Sequence, residues 1–351
     1  PKNQYCVTCC KAKVQRTPHR RKKYRSFWKG RPEATHFGDA VTADHLIAHS
    51  ERSLGVTGDG AALVIGDRAT GWFEGYPMIS NDIPSTLEGY RKFAGSEIMK
   101  RAWTDNSWEL KAACKEMNIV HDTSTQGRPQ SNGRAERLVR RVMYGTKTLL
   151  LQAGLPPGFW PYAMRAYCFA QNIDIVAGDS SWNKRHGRGQ FKDRSIPFGC
   201  LVDFRPQPEV AEKMPKGSPD SVPGLFFGYK LLPGGIWDNE HKVADLRVFK
   251  DMVFSGWGSN CNVRVQTVRE VVWKADNTIF PLVGKYERAN RTIDGIEGLP
   301  ADEGEDDPAF SEVQEGVVAP VPGGVPVHVL VPPVVGDPQA PIDRPVVGVE
   351  V

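Results

Sequence analysis

Residues 127–142 read Gly127-Arg128-Pro129-Gln130-Ser131-Asn132-Gly133-Arg134-Ala135-Glu136-Arg137-Leu138-Val139-Arg140-Arg141-Val142. The first half is polar and carries Gly, Pro and Asn, the composition of a loop. The second half changes to apolar residues at helical spacing. Ala135, Leu138, Val139, Val142, Thr146, Leu149, Leu150 and Ala153 fall on one face, so the spacing predicts a helix over 132–153, the longest in the chain. Ser131 stands where its hydroxyl can accept from a free amide of the first turn. Gly154 and Pro156 stop the helix.

Upstream, 40–45 and 61–65 are short apolar or alternating runs that read as strands. Residues 71–79 follow a Thr-Gly turn and read as part of a hairpin. Helical spacing over 83–93 is followed by a strand over 97–104, a helix over 108–117 and a strand over 119–123. Residues 124–133 read as a mobile loop. A further helix is predicted over 159–172. This order implies α/β layering, a mixed sheet with flanking helices. Downstream, 176–195 is rich in Gly, Ser, Lys and Arg and reads as a linker. Short β-like segments then run from 196 to about 280, at 199–204, 224–229, 242–249 and 263–273. The expected division is a basic segment 1–36, a core 37–175, a linker 176–195, a small mostly-β domain 196–285, and a disordered acidic, Pro-rich tail 286–351.

The composition bounds the function. Of 351 residues, 40% are hydrophobic and 25% charged, enough for a packed core and against wholesale disorder. No apolar run approaches the ~20 residues of a membrane span, and no signal-peptide core is present; no membrane association is expected. Seven scattered Cys argue for a reducing compartment rather than a disulfide framework. The chain begins at Pro1 and is read as a piece of something longer. Residues 1–36 hold eleven Lys/Arg against Glu33, whereas 300–351 hold ten Asp/Glu against one Arg. A basic head attracts polyanions such as nucleic acid; the other reading is a solvated tail. The cluster Arg20-Arg21-Lys22-Lys23-x-Arg25 reads as a nuclear localisation signal or a DNA-binding connector.

Three acidic residues sit where the layered fold can gather them. Asp44 ends the first strand, Asp105 follows the strand before the second helix, and Glu136 lies on the first turn of the long helix. Hard divalent cations take carboxylate oxygen, and two ions ~4 Å apart activate an attacking hydroxyl and stabilise a leaving oxygen. Arg134, Arg137, Arg140, Arg141 and Lys147 follow on or beside the exposed side of the helix, where they can track a phosphate backbone. By composition alone, acidic residues at strand ends are solvated more often than metal-bound. His45, His49 and His121 read as ordinary polar residues, and Trp103 and Trp108 as packing residues.

The strings Thr104-Asp105-Asn106-Ser107-x-Glu109-Leu110 and Gly127-Arg128-Pro129-Gln130-Ser131-Asn132-Gly133-x-x-Glu136 closely resemble the integrase core of LTR retrotransposons and retroviruses, with the nearer match to copia-type elements. The stretches 37–44, 66–72 and 155–172 are similar to that family's first catalytic strand, second hairpin and following helix. The resemblance implies an RNase H-like fold. It implies an Asp44, Asp105 and Glu136 site holding two Mg²⁺ (or Mn²⁺) for DNA 3′-end processing and strand transfer. It further implies DNA as partner, a homo-oligomer, and residence in the nucleus and in cytoplasmic particles of the element. Asn132 and Gly133 would shape the loop and helix start, and Gln130 would contact DNA. Asp39 is a rival for the first Asp. Thirty residues separate Asp105 from Glu136, somewhat fewer than in retroviral proteins, and Ser107 stands where the family often has Gly. Cys6 and Cys9 match the Cys half of an HHCC zinc domain, whose His pair would lie upstream. They form an incomplete Zn²⁺ site, and the other reading is free thiols. The segments 197–199, 223–229, 234–237 and 243–246 also look like the copia-type region after the core, a small module that binds DNA or caps the structure. The second functional reading is a catalytically inactive nucleic-acid-binding relic.

Overall fold

The computed structural model describes residues 7–8, 33–48, 50, 53–123, 133–254 and 263–292. Its first half is built on a sheet of five strands: β1 (Val41–Ile47), β2 (Ala61–Asp67), β3 (Phe73–Met78), β4 (Arg101–Thr104) and β5 (Val120–Thr123). Their order is β3-β2-β1-β4-β5. The β1–β2 and β2–β3 pairs are antiparallel, whereas β1–β4 and β4–β5 are parallel. The chain is therefore mixed α/β, with a mixed five-stranded sheet.

Helices cover both faces because the strands alternate two apolar sets. Val41, Ala43, Leu63, Ile65 and Ala102 pack on helices α1 (Ile83–Ala94) and α2 (Trp108–Glu116), through Tyr90, Phe93, Leu110 and Ala113. Ala62, Val64 and Phe73 pack on α3 (Gly133–Ala153) and α4 (Trp160–Ile173), through Val139, Val142, Ala163 and Met164. Local signals set the helix ends. The Asp82 carboxylate accepts from the Ser85 amide at 2.8 Å to start α1, which ends at Gly95 with φ 62°. Ser107 caps α2 through the Leu110 amide. Gly66 lets α3 come close to the sheet, since a Cβ there would lie 2.6 Å from Leu138 Cδ2.

Two expectations are corrected here. The stretch 176–195 is no linker. It contains α5 (Ser181–His186), capped by the Ser180 hydroxyl, with Arg185 buried against the first sheet. Composition misled because one buried arginine and two aromatic residues anchor an otherwise polar segment. The tail was expected from residue 286, yet a helix runs over Val283–Arg291, with Tyr286 and Ala289 packed on the core. Residues 293–351 lie outside the described residues.

The second sheet comprises β6 (Leu201–Phe204), β7 (Val222–Leu232), β8 (Ile236–Asp245), β9 (Gln266–Val268) and β10 (Val271–Val272), ordered β10-β6-β7-β8-β9 and all antiparallel. A four-residue helix, α6 (Pro208–Ala211), lies between β6 and β7; the helix over Val283–Arg291 is α7. One hydrophobic cluster joins the halves: Leu155 and Phe159 pack with Phe198, Leu225, Phe227, Phe249 and Leu282.

Candidate functional site

Asp44 lies on β1 and Asp105 directly follows β4. These strands run parallel with Ala43 opposite Thr104, so the next residue on each is an aspartate where the pairing stops. The sheet thus sets the two carboxylates side by side. Alternation turns Thr42, Asp44 and Leu46 to one face. That face is the one under α3, because Leu46 packs with Val139 and Val142. Asp44 Oδ1 accepts from the His45 amide at 2.9 Å, and Asp105 Oδ1 accepts from the Ser107 amide at 3.1 Å.

Two histidines flank them. His45 Nε2 lies 3.0 Å from Thr86 Oγ1, and burial holds its pKa below the usual value, opposed by the charges of Asp105 and Glu109. The Thr104 hydroxyl donates its one proton to the Asp105 carbonyl at 2.7 Å. It must therefore accept from His121 Nε2, also at 2.7 Å, which fixes that tautomer. Burial, then Lys111, lowers the His121 pKa. Both rings are bonded on the α1–α2 side of the sheet, the face opposite Asp44, within electrostatic reach of Asp105.

Glu136 occupies the first turn of α3, half-buried, and burial raises its pKa against the opposing charges of Arg140 and Arg137. Among the described residues, no group of three or more His, Cys, Asp or Glu side chains is placed to hold a metal ion. Asp44, Asp105 and Glu136 therefore are not gathered into one cluster. Their chemistry fits a hard divalent cation, being carboxylate oxygen throughout.

The arginines of α3 divide by role. Arg134 is exposed, Arg137 donates to the Gly133 carbonyl at 2.6 Å, and Arg140 stands near Glu136. Arg141 donates to Gln171 Oε1 at 2.7 Å, with its guanidinium 4.6 Å from the Phe73 ring centre. Lys147 is drawn partly into the protein, and burial lowers its pKa. Gln130, Ser131 and Asn132 lie outside the described residues, as do Cys6, Cys9, His49 and the basic cluster 20–25. Asp39 has a local structural task. It accepts from the Thr35 and His36 amides and pairs with Lys100 at 2.7 Å.

Of the two tryptophans expected to pack, Trp103 is buried and Trp108 is not. Trp108 is 71% exposed, because it opens α2 on the side away from buried Leu110 and Ala113. Trp103 is buried, and it lines a cavity of about 250 Å³ together with Thr42, Arg68, Arg101, Arg134 and Arg141. Sequence reasoning passed over Arg68 and Arg101. The available signal was the period of two on β4, which turns Arg101 to the same face as Trp103.

No family model matches the chain. The chain is similar to the retrovirus-related Pol polyprotein from transposon TNT 1-94 of Nicotiana tabacum, at 29% identity over 52% of this chain. It is also similar to those from transposons RE1 and RE2 of Arabidopsis thaliana, at 29% over 37% and 26% over 42%. Its relatives are retrotransposon Pol polyproteins. The matched stretches cover only 14%, 9% and 11% of these relatives' lengths. The retrotransposon connection therefore holds for a small part of a long polyprotein. Among the described residues, no helix is long and apolar enough to cross a membrane. Cys114, Cys168 and Cys200 are free and buried. Burial pushes the Cys114 thiol up to about 11 and Cys200 to about 12, which disqualifies both as nucleophiles at neutral pH.

Proposed function

We propose that this chain is the integrase region of a retrotransposon Pol polyprotein, with an RNase H-like core that performs phosphoryl transfer on DNA. The observation that carries this reading is the parallel register of β1 and β4, which sets Asp44 and Asp105 side by side under α3. Glu136 is the third carboxylate, delivered by the first turn of α3. Asp44, Asp105 and Glu136 would hold Mg²⁺ or Mn²⁺. Two such ions, when bound, supply activation of the attacking hydroxyl and stabilisation of the leaving oxygen. The chain's own residues would position the substrate: Arg134, Arg137 and Arg140 present positive charge near Glu136 for a phosphate backbone, and Gln130 and Asn132 would add DNA contacts. Cys6 and Cys9 would bind Zn²⁺ only with a His pair supplied from upstream. Assembly as a homo-oligomer and work in the nucleus and in cytoplasmic particles follow from the same reading.

A second reading is a non-catalytic nucleic-acid-binding relic; among the described residues no group of three or more His, Cys, Asp or Glu side chains is placed to hold a metal ion. Strand joining on a branched DNA that mimics the integration product discriminates the two. Joining with Mg²⁺ or Mn²⁺, lost in Asp105→Asn and Glu136→Gln while DNA binding persists, is the expected result. Wild-type protein that binds this DNA but never reseals it with either metal would sink the enzyme reading in favour of the relic.

A further inference from the structure

The cavity between the first sheet and α3 is lined by four arginines, Arg68, Arg101, Arg134 and Arg141, and a single carboxylate, Asp67. That carboxylate is engaged by its own turn, accepting from the Gly38 amide at 3.0 Å and from the Thr70 amide and hydroxyl at 2.8 Å. It is 96% removed from solvent, at 4% exposure, and serves the β2–β3 connection. Burial and the proximity of Arg68 and Arg137 lower the Arg134 pKa, which marks like charges crowded together. Arg141 is held in place by Gln171 and Phe73. Trp103 adds a flat aromatic wall, opposite Thr42 in the β1–β4 register. Positive charge beside an aromatic surface is the pairing that single-stranded nucleic acid selects, phosphate on the cations and base on the ring. At about 250 Å³ the cavity is just below the ~300 Å³ at which small-ligand pockets begin, so it suits one nucleotide unit rather than a duplex.

We propose that this cavity is a nucleotide subsite, in which Arg68, Arg101 and Arg134 hold a phosphate and Trp103 packs against the base of a single-stranded DNA end. The proposal rests on the integrase reading and extends it to where the strand goes. Thr42 precedes Asp44 by two residues, about 7 Å of strand, so one bound strand can reach both the cavity and the carboxylates. A frayed DNA end would be drawn out of its duplex along this face.

The test is a fluorescence-anisotropy titration of the full chain with a labelled single strand of roughly ten nucleotides, in parallel with the strand-joining assay. Arg101→Gln and Arg68→Gln should each weaken single-strand binding about tenfold, the size of one charge-assisted hydrogen bond. Each should lower the salt slope by about one. Arg101→Lys should restore most of the affinity, and the strand should quench the tryptophan fluorescence of wild type more than that of Trp103→Phe. A nucleoside monophosphate should compete better than inorganic phosphate. Unchanged affinity in both Gln variants, with wild-type joining intact, would overturn the subsite and leave the integrase reading standing. Variants that lower the melting temperature without moving affinity or salt slope would assign these arginines to structure and also overturn it. Competition by inorganic phosphate equal to that by the nucleotide would reduce the cavity to a simple anion site. Wild type that neither binds the strand nor joins DNA would instead defeat the underlying reading.

Discussion

Arg185 shows how much one residue can organise. Its side chain is fully buried, 3.7 Å from Glu74 and 3.3 Å from Glu97, and it donates to the Phe93 carbonyl at 2.6 Å. The guanidinium lies 3.8 Å from the Phe37 ring centre and 4.9 Å from that of Trp72. Planar, weakly hydrated guanidinium suits such a box better than an ammonium would. Burial nonetheless disfavours its charge, and Glu74 is the main opposing influence. Removing only the cation leaves Glu74 charged and buried, with the Trp72 indole N–H at 2.8 Å as its remaining donor. Arg185→Met should therefore cost about 3–5 kcal/mol in urea unfolding, and Arg185→Met with Glu74→Gln should recover much of it. A single variant within about 1 kcal/mol of wild type would show that the box does not hold α5 to the sheet.

Elements are joined by close approach and by one polar clamp. Gly145 of α3 faces Tyr167 of α4, and a Cβ at 145 would sit 2.1 Å from the ring, so the two helices meet at a distance only glycine permits. The other end of α4 holds the sheet. Among the described residues strand β3 is an edge, with one side of its backbone unpaired by any strand. Asn172 fills that side, accepting from the Phe73 amide at 3.1 Å and donating to the Phe73 carbonyl at 2.7 Å. The side-chain amide thus imitates a neighbouring strand and protects an edge that would otherwise invite foreign pairing. Asn172→Ala should destabilise by about 3 kcal/mol, because it strands a buried donor and a buried acceptor together. Chemical denaturation is the measurement, and a loss below about 1 kcal/mol would mean that water replaces the clamp.

At the scale of the molecule, the two sheets share apolar side chains. Leu155 and Phe159, at the turn between α3 and α4, are buried by Phe198, Phe227 and Phe249 from the β-rich half, and Leu282 closes the same cluster. Gly154 has a positive φ and lies against Val283, so the end of the long helix also abuts the start of α7. A chain cut after residue 195 would expose this surface. It should bind a hydrophobic dye and lose a sharp melting transition, whereas the full chain should show a single transition for both halves. Two resolved transitions in the full chain, or a cooperative melt in the shortened one, would show that the halves fold independently.

Much of the architecture was legible because it rests on local rules. The alternation of β1, the apolar run of β2 and the spacing along α3 are each determined within a few residues. Asp105 just after β4 and Glu136 on a helix first turn were legible as positions on elements, whereas Asp44, expected to end its strand, lies in the middle of β1, which runs on to Ile47. Their mutual placement was not, because it depends on how α3 sits over the sheet. The helix over Ser181–His186 was hidden in polar text, since its partners Glu74 and Phe37 are more than a hundred residues away in sequence. The arginine cavity was hidden for the same reason. Arg68, Arg101 and Arg134 belong to three separate segments, and only strand register and the packing of α3 bring them to one wall. Sequence alone determined most elements of the first half and the chemical kinds of the groups. Tertiary structure alone decided which of those groups meet, because burial and long-range pairing are properties of the assembled sheet and helices rather than of any segment.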